Sequence, residues 1–317
     1  MMAGKTNNTQ LRIGVVGLGP IGSTLAVHLI EAGAFVVPCD IDRKKIDLIK
    51  ESGIQVENKI QKTADVAVAC YAVDELGEYD LDLVVVSVKT PILGKIVSTL
   101  SKVIPETAFI LCAQNGLDNE LEVANVVGQD RTLRMVVNWA GGMSSPNTVN
   151  MIFFNSPNYI AALTPQGSAM SSTIAEMLSS VELKTEIPDN IRVYTWEKAI
   201  LNAALAPVCA ITRLTMKQVM DTPEAVEMVK AIIDESVLVA NADGIKYDKG
   251  FGEFCLNYLK GGGDHRPSMA LDLEGGLATE IDYMNGRIAQ YGRKYGLATP
   301  NNQTITALVH MLERSSQ

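Results

Sequence analysis

A chain of 317 residues is long enough for two domains and a sizeable core. Its net charge of −9 excludes the basic face of a nucleic-acid binder and gives no attraction to anionic lipid. Apolar residues make up 47% and charged residues 20%, as in a globular enzyme, and the five cysteines (Cys39, Cys70, Cys112, Cys209, Cys255) form no C-x-x-C pair. Reduced thiols in a cytoplasmic protein are expected, with no metal cluster and no disulfide frame.

Residues 1–10 are polar, lack the apolar stretch of a signal peptide and read as a flexible tail. From Leu11 to about Thr185, short Val/Ile/Leu-rich runs alternate with helical stretches. Strands are expected over 11–16, 35–39, 83–88, 108–111 and 135–138, with helices over 21–32, 43–51 and 92–102. Such alternation predicts a parallel, doubly wound Rossmann sheet. Residues 148–154 and 159–163 read as an antiparallel pair joined across 155–158 and appended to that sheet. Ser168 opens a helix to about Ser180, and 181–186 reads as one more strand. After Pro188 strand signals end, and helical patterns run to the C-terminus, broken at Pro207, Gly244, Gly261–Gly263 and Gly296. The fold class expected is therefore α/β: a Rossmann domain over 11–188 and an all-α domain over 189–317. The apolar stretch 199–211 is too short to span a bilayer, so no membrane association is expected.

The strand Arg12-Ile13-Gly14-Val15-Val16 runs directly into Gly17-Leu18-Gly19-Pro20-Ile21-Gly22, and a helix follows. In that context each glycine has a physical task. Gly17 permits the tight turn, Gly19 lets backbone approach a pyrophosphate, and Gly22 lets helix and strand pack closely. Leu18, Pro20 and Ile21 complete the loop, whose helix N-terminus offers N–H groups and a positive dipole end to phosphates. Asp40 ends the next strand about twenty residues on, where an acid hydrogen-bonds the adenosine ribose. A carboxylate there repels a 2′-phosphate, which favours NAD over NADP. Arg43, Lys44 and Lys45 follow at once and keep NADP open. Lys89 ends the strand Val84–Val88, and Gln114-Asn115-Gly116 follows the next strand; both lie at the carboxyl edge, where open α/β sheets bind ligands.

In the second domain Lys198 and Asn202 lie four apart on one helix and share a face within an apolar surround (Ala199, Ile200, Leu201, Ala203, Ala204, Leu205). Burial of that kind lowers a lysine pKa and lets it donate a proton near neutrality. His265-Arg266-Pro267-Ser268-Met269 opens a further helix. Glu280, in Thr279-Glu280-Ile281-Asp282-Tyr283 with Asn285-Gly286, is expected roughly three helical turns past Ser268 on a similar face. His28 and His310 read as packed histidines.

These motifs, with the order Gly296 to Pro300 at the end, resemble the ketopantoate reductase (2-dehydropantoate 2-reductase) family over nearly the whole chain after Gln10. The resemblance implies NAD(P)H-dependent reduction of a 2-oxo acid to a 2-hydroxy acid, in pantothenate and coenzyme A synthesis. It implies that Lys198 protonates the carbonyl oxygen, Asn202 orients the substrate and Ser268 contacts it. Asn115 then meets both cofactor and substrate, Glu280 joins the cofactor and catalytic surround, and Lys89 belongs with the cofactor. Three positions depart from the pattern. Ala206 stands where many members carry a second asparagine, Met216 stands near another polar contact, and Asp40 replaces a basic residue of NADP-using members. His265 and Arg266 are candidates to replace the missing anchors. The alternatives are a member acting with NAD on another 2-oxo or 2-hydroxy acid, and a non-catalytic NAD-binding sensor. The partner expected is a small 2-oxo acid, and a homodimer is open.

Overall fold

The computed structural model describes residues 10–315. The expected tail lies outside the described residues except for Gln10, whose amide donates to the Gly33 carbonyl (3.0 Å). The chain forms two compact units. One runs to Val88 and adds Ile92–Gln114 and Glu120–Ile191; the other comprises Lys89–Pro91, Asn115–Asn119 and the chain from Arg192 on.

The first unit holds strands β1 (Arg12–Val16), β2 (Phe35–Cys39), β3 (Ile54–Asn58), β4 (Lys62–Ala64), β5 (Leu83–Val86), β6 (Phe109–Cys112), β7 (Thr132–Val136), β8 (Trp139–Ser145), β9 (Thr148–Phe154), β10 (Asn158–Ala162) and β11 (Thr185–Glu186). Helices α1 (Pro20–Glu31), α2 (Arg43–Ser52), α3 (Leu93–Val103), α4 (Asn119–Val127) and α5 (Ser168–Ser180) connect them. A seven-stranded sheet runs β11-β10-β7-β6-β5-β1-β2. Its β2, β1, β5, β6 and β7 are parallel, as the alternation predicts. The strands are continuous apolar runs because both faces are covered. Successive residues feed opposite cores: Ile13, Val15, Leu83 and Val85 enter one, and Val16, Val84 and Val86 the other. Pro38, which cannot donate to a ladder, sits in the edge strand β2, where its missing N–H costs least.

A second, four-stranded sheet in the order β4-β3-β9-β8 was not anticipated. The expected hairpin of residues 148–154 and 159–163 does not form. β9 pairs with β8 and β3, whereas β10 pairs antiparallel with β7. Asn138 accounts for the parting. Its carbonyl accepts from Asn155 N–H, its amide donates to the Pro157 carbonyl, and its own N–H donates to Asn158 Oδ1. These bonds fix the connection and send its two ends to different sheets. α1 packs against β2 and against all four strands of the second sheet, and residues Gly22 through Leu29 are all buried. A helix enclosed in this way is apolar on nearly all sides.

Among the described residues no strand follows Glu186. The second unit is built from α6 (Ile191–Thr212), α7 (Met216–Met220), α8 (Pro223–Ala242), α9 (Phe251–Lys260), α10 (Ser268–Glu274), α11 (Asn285–Tyr295) and α12 (Pro300–Ser315). Its core gathers on α6, with Trp196, Ile200, Ala203 and Ala204 essentially without solvent contact. The expected break at Pro207 is absent: α6 continues through it. Proline removes the N–H that would bond the carbonyl four residues back, that of Ala203. The Asn285 amide takes its place, donating to Ala203 O (2.9 Å) and to Asn302 Oδ1 (3.1 Å). Asn302 in turn donates to Glu235, whose two carboxylate oxygens also cap the first N–H groups of α12. Breaks at the expected glycines do occur, and Gly296 ends α11 in the left-handed conformation (φ +68°).

Candidate active site

β1 delivers the chain to Gly17 with φ +88°, a value that favours glycine, and its N–H is held by the Cys39 carbonyl (2.9 Å). A Cβ on Gly22 would lie 1.9 Å from the Gly17 carbonyl oxygen, so α1 can approach β1 only over a glycine. Gly19 differs: a Cβ there would meet no protein atom within 4 Å. Packing within the chain does not require it to be glycine. The first turn of α1 has no side-chain cap and no acidic residue. Its N–H groups and dipole are left to an external anion, and the open face over Gly19 suits a dinucleotide pyrophosphate.

Asp40 closes the loop from below. Its Oδ2 accepts from Leu18 N–H (2.7 Å) and from Lys45 Nζ (3.3 Å), and Oδ1 accepts from Asp42 N–H (3.0 Å). A carboxylate has about four acceptor positions, so one remains for a ribose hydroxyl. The basic trio divides: Lys45 neutralises Asp40, Arg43 stacks over Tyr71 (5.0 Å to the ring centre), and Lys44 is exposed.

The helical unit gathers Lys89, Asn115 and Glu280 into one cluster. Glu280 is 5% exposed, and its Oε1 accepts from the Thr90 backbone N–H (3.1 Å) and hydroxyl (2.8 Å). Burial raises its pKa, opposed by the charge of Lys89 and the Thr90 donors. Lys89 Nζ lies 2.5 Å from Asp272 Oδ2. The Asn115 carbonyl accepts from Asn119 Nδ2 (2.7 Å), leaving the Asn115 side-chain amide without a partner among the described residues. Glu280 does not share a helix with Ser268. α10 ends at Glu274, Gly275 and Gly276 (φ +65°) turn the chain, and Glu280 stands just before a 3-10 turn over Ile281–Tyr283. Its place comes from Thr90, far away in sequence, and not from helical periodicity.

Lys198 and Asn202 occupy one face of α6. Both are half-buried, and neither has a hydrogen-bond or ion-pair partner among the described residues. Desolvation lowers the Lys198 pKa to about 8, against the opposing charge of Glu197. Ser268 opens α10 and is exposed. No hydrogen bond joins Lys198, Asn202 or Ser268 to the Glu280 cluster. Ala206 is buried one turn beyond Asn202. The Met216 N–H is held by the His265 carbonyl (2.9 Å). Arg266 is ion-paired with Glu274, and burial lowers the His265 pKa, so this stretch offers no free cation to replace a missing amide.

Thr90 and Asp272 were missed by reading the sequence. Asp272 stands four residues after Ser268, a helical spacing that was available as a signal. Thr90 directly follows Lys89 but has no local pattern to mark it.

A doubly wound sheet with a glycine loop and an acid just past the second strand, together with a helical unit that carries a desolvated lysine, is the pattern of a nicotinamide-dependent oxidoreductase. Comparison with known proteins narrows it. The family model described as "Ketopantoate reductase PanE/ApbA" matches residues 13–164, and its C-terminal counterpart matches residues 190–313. The chain is 28% identical over 309 residues to a 2-dehydropantoate 2-reductase of Lactococcus lactis, covering 96% of this chain and 98% of that one. It is 25% identical over 301 residues to that of Streptococcus pyogenes serotype M3, covering 94% and 97%. Among solved structures, D-mandelate dehydrogenase with NADH and anilino(oxo)acetate superposes with a TM-score of 0.87 at 27% identity, covering 96% and 99%. A ketopantoate reductase of Ralstonia eutropha JMP134 has the same fold (TM-score 0.87, 24% identity, covering 97% and 100%). The chain belongs to the ketopantoate reductase family. It is an NAD(P)-dependent oxidoreductase acting on CH–OH groups. No helix among the described residues is long and apolar enough to cross a membrane.

Proposed function

We propose that this enzyme reduces 2-dehydropantoate to pantoate, with NADH as the preferred donor and Lys198 as general acid. Lys198 carries the proposal: a partly desolvated ammonium with no ion pair among the described residues, its pKa lowered to about 8. A reduced nicotinamide held by the glycine loop and Asp40 would supply the hydride for the carbonyl carbon. Lys198 then stabilises the negative charge that develops on the carbonyl oxygen and delivers the proton that quenches it. Asn202, one turn along α6, orients the same oxygen or the carboxylate, and Ser268 contacts the acid. Asn115 bridges cofactor and substrate through its free amide, with Glu280 and Lys89 beside it. The loop Gly17–Gly22 holds the pyrophosphate and Asp40 the ribose. In this reading residues 11–188 bind the dinucleotide, residues 189–317 supply the acid, the enzyme is cytoplasmic, and it works as a homodimer. Light scattering after gel filtration at twice the 34.2 kDa chain mass checks the last point.

A second reading, reduction of a different 2-oxo acid, is favoured by apolar Ala206 and Met216 where hydroxyl- or carboxylate-binding side chains are expected. It is supported by the likeness to a mandelate dehydrogenase. One experiment separates the two: initial rates with NADH and NADPH against 2-dehydropantoate and a panel of alkyl and aryl 2-oxo acids. Turnover of 2-dehydropantoate at the highest kcat/KM supports the first reading. Turnover of the panel without it overturns that reading in favour of the second.

A further inference from the structure

The geometry points to Asp118 as the positioning residue for Asn115: its carboxylate pins the turn that presents the Asn115 amide. The inference rests on the assignment of Asn115 above. Residues 115–119 form a tight strap. Gly116 has φ +102°, and a Cβ there would strike the Tyr283 carbonyl oxygen at 2.9 Å. Leu117 N–H donates to that same oxygen (2.9 Å), and Asn119 closes back on the Asn115 carbonyl. Asp118 sits at the turn in the left-handed region (φ +66°), a conformation that costs a side-chain-bearing residue energy and persists only where contacts hold it.

Those contacts are present. Asp118 is 7% exposed, and the Tyr291 hydroxyl lies 3.0 Å from both carboxylate oxygens. Arg287 Nε is 3.5 Å from Oδ2 and Arg192 NH1 is 3.8 Å from Oδ1. Burial and the Asp118 charge push the Tyr291 phenol up to about 12, so it remains a donor. Arg192 is itself held by Asp243, which also accepts from Trp196 Nε1 (3.2 Å) and Tyr295 OH (2.7 Å). The strap is thus tied to α6 and α11 through one buried carboxylate. Asn115 has no side-chain bond of its own, and its orientation is inherited from this turn.

The test is a double-mutant cycle on the full-length enzyme with its reduced cofactor. Asp118→Asn keeps an acceptor for Tyr291 but removes the charge, and Tyr291→Phe removes the donor while keeping the ring. Each is expected to lower kcat/KM for the 2-oxo acid about tenfold or more, the scale on which a misplaced contact acts. The melting temperature of the free enzyme should fall by much less than the loss of activity implies. Added to Asn115→Ala, neither should cause a further loss, because both act through Asn115. Additive losses, or full activity in both single variants, overturn the inference while leaving the Asn115 assignment intact. An Asn115→Ala enzyme with unchanged rates sinks that assignment and the inference with it.

Discussion

With Lys198 as the proposed general acid, its protonation governs the expected pH behaviour of the reaction. Its pKa is lowered to about 8 by desolvation, so the protonated acid predominates below that pH and is lost above it. The kcat/KM for carbonyl reduction should be flat on the acid side and fall as pH rises through about 8. Oxidation of the hydroxy acid needs the free amine and should rise through the same interval. A pH–rate profile in both directions checks the sign. Lys198→Ala should cost about 10²–10⁴-fold in reduction, as loss of a general acid does. Asp40 makes a different prediction. Asp40→Ala removes a repulsive charge and releases Lys45, now paired with it, to meet a 2′-phosphate. The ratio of kcat/KM for NADPH over NADH should rise by about tenfold or more, given the several kcal/mol that juxtaposed like charges cost; competing-cofactor kinetics would reveal an unchanged ratio. The partial burial of Lys198 was legible in the sequence, from its apolar neighbours on α6. Asp118 was not. Its significance lies in a left-handed turn and in partners on α6 and α11, none of them near it in sequence.

At the scale of elements, strands with both faces buried announce themselves as unbroken apolar runs, and β1, β2, β5 and β6 were read correctly. The edge of the fold was harder. β8, Trp-Ala-Gly-Gly-Met-Ser-Ser, has almost no intrinsic strand preference and is a strand because β9 supplies its ladder. Pro207 was misread because a local rule, that proline interrupts a helix, was overruled by an amide on α11. This predicts a coupling. Asn285→Ala leaves the Ala203 carbonyl buried and unpaired and should cost about 1–3 kcal/mol of stability. In a Pro207→Ala background, where the helical N–H is restored, the same substitution should cost clearly less. Urea unfolding of the four chains gives the cycle; equal costs in both backgrounds would refute the pairing.

The fold class of the whole chain followed from its alternation of strand and helix, then helix alone, a property that needs no contact information. Which loops belong to which unit did need it. Cofactor binding also registers on the molecule as a whole, since a ligand at about one hundred times its Kd adds about 2.7 kcal/mol to stability. NADH should raise the melting temperature of the native chain. Gly19→Ala should weaken that rise while leaving the melting temperature of the free enzyme nearly unchanged, because a Cβ there meets no protein atom within 4 Å; a free enzyme that melts much lower would show that the loop needs this glycine for folding. The two segments Lys89–Pro91 and Asn115–Asn119 have a consequence for dissection of the gene. They are encoded among the sheet strands yet belong to the helical unit, with Thr90 on Glu280 and Asp118 on Tyr291. A cut after residue 188 therefore yields no autonomous halves. The C-terminal fragment would carry a buried carboxylate stripped of its donors, and only co-expression of both pieces would restore the pairing.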